Sequence, residues 1–144
     1  MEDGATSDFK WKVRHTLTVR RFTCHPNTIT HKLGLQPRMI GIKGESVPRS
    51  KHRKYAVNIW STKWYDGSGD TEWMNQREHV TSLEALVEYL LERHSIIRQL
   101  LVESEVYLTT SIRSDSFNIA YSLSPSLSEK LGRLGVDWCV DTYH

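Results

Sequence analysis

The sequence predicts an α+β domain with a single four-stranded, mostly antiparallel sheet and helices packed on one of its faces. Three observations predict it. Stretches of strict apolar alternation are interleaved with stretches of helical period, in the order β-α-β, long helix, β-α-β. The two outer units look alike, each passing from a strand into a short Pro-started helix closed by Leu-Gly, a weak internal duplication. Size and content agree: 144 residues is one domain by length, and five tryptophans and six tyrosines supply the bulk of a core.

Residues 11–21, WKVRHTLTVRR, set Trp11, Val13, His15, Leu17 and Val19 on one face and Lys12, Arg14, Thr16, Thr18 and Arg20 on the other. That is a half-buried strand. HPNTITHKLGL follows as a short helix, with Pro26 first, Ile29 and Leu33 four apart, and Gly34 as its stop. Residues 36–54 read as a long loop punctuated by Pro37, Gly41, Gly44 and Pro48. Residues 55–64, YAVNIWSTKW, are β-branched and aromatic enough for a second strand, which a turn at residues 66–70, DGSGD, closes. Thr81 and Glu84 form a capping box that opens the longest helix, whose apolar stripe runs from Leu83 through Leu90 and Ile97 to Leu101. Residues 106–112 alternate as a third strand. In SLSPSLSEKLGRLG, Ser124 caps, Pro125 leads, Leu127 and Leu131 lie four apart and Gly135 ends the helix. Residues 136–143, VDWCVDTY, make the last strand.

No apolar run approaches the roughly 20 residues needed to cross a bilayer, so no membrane partner is expected. Residues 1–8 are acidic and polar and lack the apolar centre of a signal peptide; they read as a frayed tail ahead of a domain at 9–144. Cys24 and Cys139 make no disulfide framework, and without an export signal both are expected as reduced thiols in the cytoplasm.

The net charge of +2 conceals an asymmetry. Residues 9–63 hold 13 lysines and arginines against one acid, Glu45, whereas residues 64–144 hold 6 against 13 aspartates and glutamates. Such a division builds a basic pole that attracts anionic surfaces, unless the two halves fold together and neutralise one another. The densest basic run is PRSKHRKYA, with Arg49, Lys51, His52, Arg53 and Lys54 inside six positions.

Four segments carry a resemblance: LGLQP at residues 33–37, KGE at 43–45, LSPSLSEKLGRLG at 123–135 and VDTY at 140–143. Together they resemble the bacterial domain of unknown function 4279 family, over nearly the whole chain. The basic run stands between KGE and the next strand, where the family pattern passes quickly into a tryptophan-bearing strand. The resemblance implies a small intracellular domain of bacterial or phage origin and carries no established activity. By analogy, small domains of this kind in variable accessory loci include immunity proteins against toxins.

Chemistry is thinly marked. Cys24, His25 and His31 cluster in sequence, as do Cys139, Asp141 and His144, but no C-x-x-C or H-x-x-x-H pair fixes two ligands on one rigid turn. No base is placed to activate the Cys139 sulfur, and Asp137 and Asp141 stand four apart on one side of a strand, a spacing for salt bridges rather than for a shared proton. No cofactor and no catalytic residue is expected.

The basic surface is better marked. If Val13, Leu17 and Val19 face the helices, then Lys12, Arg14 and Arg20 face away from them. If Val57 and Ile59 face the core, Trp60 and Trp64 stand on the open face beside those cations, and Tyr107 alternates outward too. With Arg49, Lys51, Arg53 and Lys54 these residues form the expected partner-binding set. Two uses fit it: a protein interface, in which tryptophan, tyrosine and arginine supply the hot spots, or single-stranded nucleic acid, with phosphates on the cations and bases on the rings. The leading expectation is a non-enzymatic protein-binding module, most concretely an immunity or antitoxin-type protein that neutralises a toxin or engages an acidic surface. Nucleic-acid binding is the alternative.

Overall fold

The computed structural model describes residues 11–62, 64, 74–75, 79–114 and 122–143. In chain order the elements are β1 (Trp11–Arg20), α1 (Pro26–Leu33), β2 (Pro37–Gly41), β3 (Ile59–Thr62), β4 (Met74–Asn75), α2 (His79–Leu91), α3 (His94–Glu103), β5 (Glu105–Ser114), α4 (Pro125–Leu134) and β6 (Asp137–Tyr143). The tail at residues 1–8, the turn at 66–70 and His144 lie outside the described residues.

The strands form one sheet in the order β2-β3-β1-β5-β6, with the two-residue β4 beside the start of β1. β1 and β5 are antiparallel along their whole length, from Trp11 opposite Ser114 to Arg20 opposite Glu105. β3 is antiparallel to both β1 and β2, whereas β6 runs parallel to β5. The fold is therefore α+β as expected, but the main path has five strands rather than four, and the sheet is mixed. β2 escaped sequence reading because Pro37 and Gly41 bound it, and both residues also mark loops. The parallel pair follows from β5-α4-β6, since a strand that returns through a helix lies parallel to the one it left.

All four helices contribute to one core against the sheet. Val13, His15, Leu17 and Val19 of β1 are fully buried, as the alternation requires. His15 keeps a polar partner there: its Nδ1 lies 2.9 Å from Thr110 Oγ1, which also accepts the Trp138 indole N–H at 2.9 Å. Burying these groups without partners would cost more than their packing gains.

The two Pro-started helices are capped alike. His25 Nδ1 accepts the Asn27 N–H at the start of α1, and Ser124 Oγ accepts the Leu127 N–H at the start of α4, each at 3.1 Å. Gly34 and Gly135 end these helices in the left-handed region, at φ 69° and 76°. The expected long helix is instead two. α2 starts at His79, ahead of the anticipated cap, and ends at Leu91; α3 resumes at His94. At the break the Arg93 amide bonds the Leu90 carbonyl at 2.9 Å, a tighter closure than an α-helix makes, and the Arg93 guanidinium folds back over the Tyr89 ring, 3.5 Å from its centroid. Leu90 before the break and Ile97 after it are both fully buried, so the apolar stripe runs on across it.

α4 is tied to α2 by Lys130 Nζ, which donates to Glu88 Oε1 at 2.9 Å. That hydrogen bond raises the Lys130 amine above the ordinary lysine value. The pair is thus formed throughout the neutral range and, on the alkaline side, is lost as pH rises past the lysine range. No helix among the described residues is long and apolar enough to cross a membrane.

Candidate functional site: a basic arm at one end of the sheet

The connection from β2 to β3 is not a slack loop. The Gly44 amide donates to the Tyr55 carbonyl at 2.9 Å and the Tyr55 amide to the Glu45 carbonyl at 3.0 Å. Ser46 bridges Lys54, and the Val47 amide reaches the Arg53 carbonyl at 2.9 Å. At the tip, Ser50 donates its amide to the Val47 carbonyl, and its hydroxyl oxygen accepts the Arg53 N–H, each at 3.1 Å. Residues 42–58 therefore fold back as a narrow two-stranded arm. Its tip turns through Arg49, whose φ of 64° is left-handed and costs a non-glycine residue on the order of 1 kcal/mol.

Two contacts set the arm on the sheet. The Tyr55 ring packs over the backbone of Gly41, where a Cβ would meet Tyr55 Cε1 at 2.5 Å. Asn58 binds three ways: its Nδ2 donates to the Phe22 carbonyl at 2.7 Å, its Oδ1 accepts the Lys43 amide at 2.8 Å, and its carbonyl accepts the Arg21 amide at 2.9 Å. One residue thus joins both roots of the arm to the turn after β1. Its sequence signal is a lone short amide inside an aromatic, β-branched run.

Arg49, Lys51, His52, Arg53 and Lys54 are all exposed, and none of them is in an ion pair among the described residues. The cations of β1 differ. Arg20 and the adjoining Arg21 both reach the Glu105 carboxylate, at 3.5 Å and 3.2 Å. The acidic half therefore does neutralise part of the basic half, at the end of β1, and leaves the arm open.

The expected set is only partly brought together. Lys12, Arg14, Arg20 and Tyr107 do share the face away from the helices, Tyr107 standing opposite Thr18. Arg20 lies at the arm's end of β1, but Lys12 is eight residues away, about 26 Å along an extended strand. The two tryptophans are on the other side. Trp60 opposes Val19 and is fully buried, its indole N–H donating to Thr30 Oγ1 at 2.9 Å. Trp64 is half-buried against the core, donates to the carbonyl and hydroxyl of Ser82 at 3.2 Å each, and tilts against Tyr89 with ring centroids 5.8 Å apart. The expectation that both stand on the open face is corrected for Trp60 by register, since Val19 faces the core and its cross-strand partner does too, and for Trp64 by its contacts with Ser82 and Tyr89. Cys24 and Cys139 are exposed free thiols, and the described residues contain no cluster of three or more acidic, histidine or cysteine groups able to hold a metal.

Residues 10–144 match a family described as a domain of unknown function, DUF4279. The chain belongs to the DUF4279 family. No curated protein and no solved structure matches it. The segments that carry the DUF4279 resemblance fall at structural joints of this domain: residues 33–37 end α1 and enter β2, residues 43–45 open the arm, residues 123–135 build α4 with both caps, and residues 140–143 complete β6.

Proposed function

We propose that this DUF4279 domain is a non-enzymatic protein-binding module of the cytoplasm, and that its basic arm docks on an acidic surface of the partner. The most concrete form of the proposal is an immunity or antitoxin-type protein that covers such a surface on a toxin. One observation carries the reading. Arg49, Lys51, Arg53 and Lys54 are exposed on a hydrogen-bonded, anchored arm without ion-pair partners among the described residues, while Arg20 and Arg21 share the Glu105 carboxylate. Cations held on an ordered element lose less freedom on docking than cations on a loose loop, so more of their attraction appears as affinity.

The same geometry weakens the nucleic-acid alternative. A single-strand reader needs open rings on which bases stack, and Trp60 and Trp64 are committed to the helix side. The test compares wild type with a variant in which Arg49, Lys51, Arg53 and Lys54 are all alanine. Wild type should retain a specific, identified protein on co-purification from the native host, and the variant should lose it. Binding of a mixed single-stranded RNA and DNA pool that falls steeply with salt and vanishes in the variant would overturn the proposal in favour of nucleic acid.

A further inference from the structure

The sheet ends in two edge strands, and they are guarded differently. β2 is five residues long, starts with Pro37, carries Arg38, and is interrupted by a register shift between Pro37 and Met39. Proline, charged side chains (lysine above all) and bulges discourage pairing at an edge, and on β6 the charges are Asp137 and Asp141 alone. β6 spans seven residues, DWCVDTY, without proline, glycine, lysine or arginine. Among the described residues it pairs only with β5. Val140 and Tyr143 are 45% and 47% exposed. Val140 and Thr142 stand beside Thr110 and Ile112, on the helix side of the sheet, yet both are exposed, so the helix layer stops short of this edge.

We propose that two copies of this chain join edge to edge through an antiparallel β6–β6 ladder centred on Val140. The argument for a second copy is register. A two-fold axis perpendicular to the sheet keeps both helix layers on one side, so each residue meets one of its own face. Centred on Val140, all seven residues of β6 are paired: Asp137 with Tyr143, Trp138 with Thr142, Cys139 with Asp141, and Val140 with itself. Trp138 with Thr142 is an aromatic against a β-branched side chain, a favourable cross-strand pair. Centred on Cys139, the ladder sets Asp137 against Asp141; centred on Asp141, it sets that carboxylate against its own copy. Like charges directly opposite are destabilising, and centres further out pair only three residues. The two aspartates therefore exclude the neighbouring registers and leave one. The net charge of +2 opposes association only weakly, and the basic arms, rooted at the far edge of each sheet, are held apart.

The test is sedimentation over a range of concentration together with site-directed crosslinking. Wild type should show a concentration-dependent dimer. Val140→Lys, at an exposed edge position, should keep the circular dichroism and melting temperature of wild type and raise the dimer Kd at least about tenfold, because it sets two ammonium groups against each other on the axis. In a background with Cys24 and Cys139 replaced by serine, Val140→Cys should form an intermolecular disulfide rapidly under an added mild oxidant, since directly opposed Cα atoms about 4.5–5.5 Å apart meet the geometry of the bond. Thr142→Cys should not, because Trp138 stands opposite it. A chain that is monomeric at all concentrations, a dimer indifferent to Val140→Lys, or equal crosslinking at 140 and 142 would each overturn the proposal. None of these outcomes depends on whether the arm binds a partner.

Discussion

Trp60 shows how much one residue's placement decides. As a surface ring it would be an interface anchor; as a fully buried ring bonded to Thr30 it is a keystone between β3 and α1. The two roles predict different mutants. Trp60→Ala should cost about 3–5 kcal/mol through the cavity it leaves and lower the denaturation midpoint by a matching amount. A variant that melts like wild type but loses a partner would restore the surface role. The sequence contained the clue in Val19, whose side was legible. What it lacked was the pairing of β3 to β1, which is set by contacts between residues 41 positions apart, Val19 and Trp60. Alternation within a strand is local; the face it shares with a neighbour is not.

At the scale of elements, those with their own start and stop chemistry were legible. α1 and α4 each carry a leading proline and a closing left-handed glycine, and α4 also its capping Ser124, and the structure uses all of these signals; the His25 cap of α1 is a contact that only the structure reveals. Elements defined by tertiary contact were not. The break at Arg93 has neither glycine nor proline, only a guanidinium drawn over Tyr89. The arm looked like a loop because its hydrogen bonds close a narrow ladder over residues rich in charge. Its dependence on Asn58 is testable. Asn58→Ala removes the side-chain bonds to the Phe22 carbonyl and the Lys43 amide. It should destabilise the fold by about 1–3 kcal/mol. Amide hydrogen exchange should show the change concentrated at Lys43, Gly44 and Tyr55, and slow-exchanging amides in β1 and β5 should move far less. A uniform change across the sheet would mean that Asn58 supports the core rather than the arm.

Across the whole molecule, the imbalance of charge between the two halves of the chain becomes a division in space, but an incomplete one. The bare sequence left open whether the acids mask the bases, and the answer differs by place. Glu105 lies opposite Arg20 in the β1–β5 ladder and holds both Arg20 and Arg21, whereas among the described residues the cations of residues 49–54 make no such contact. Arg21 also donates its amide to Asn58, at the root of the arm, so the masked and unmasked cations are neighbours. Glu105→Gln should therefore do more than remove one negative charge: it should extend the basic pole from the arm onto the end of β1. Because clustered charges add their fields and screening limits reach to about 10 Å in ordinary salt, the effect depends on place. Glu105→Gln should elute from a polyanion column at higher salt than wild type, and at higher salt than Glu129→Gln. The latter makes the same formal change but, among the described residues, frees only Arg133 on α4. Replacing Arg49, Lys51, Arg53 and Lys54 by alanine should shift elution the other way. Equal retention of the two glutamine variants would show that net charge alone governs anion binding, and that the arm and the end of β1 do not act as one pole.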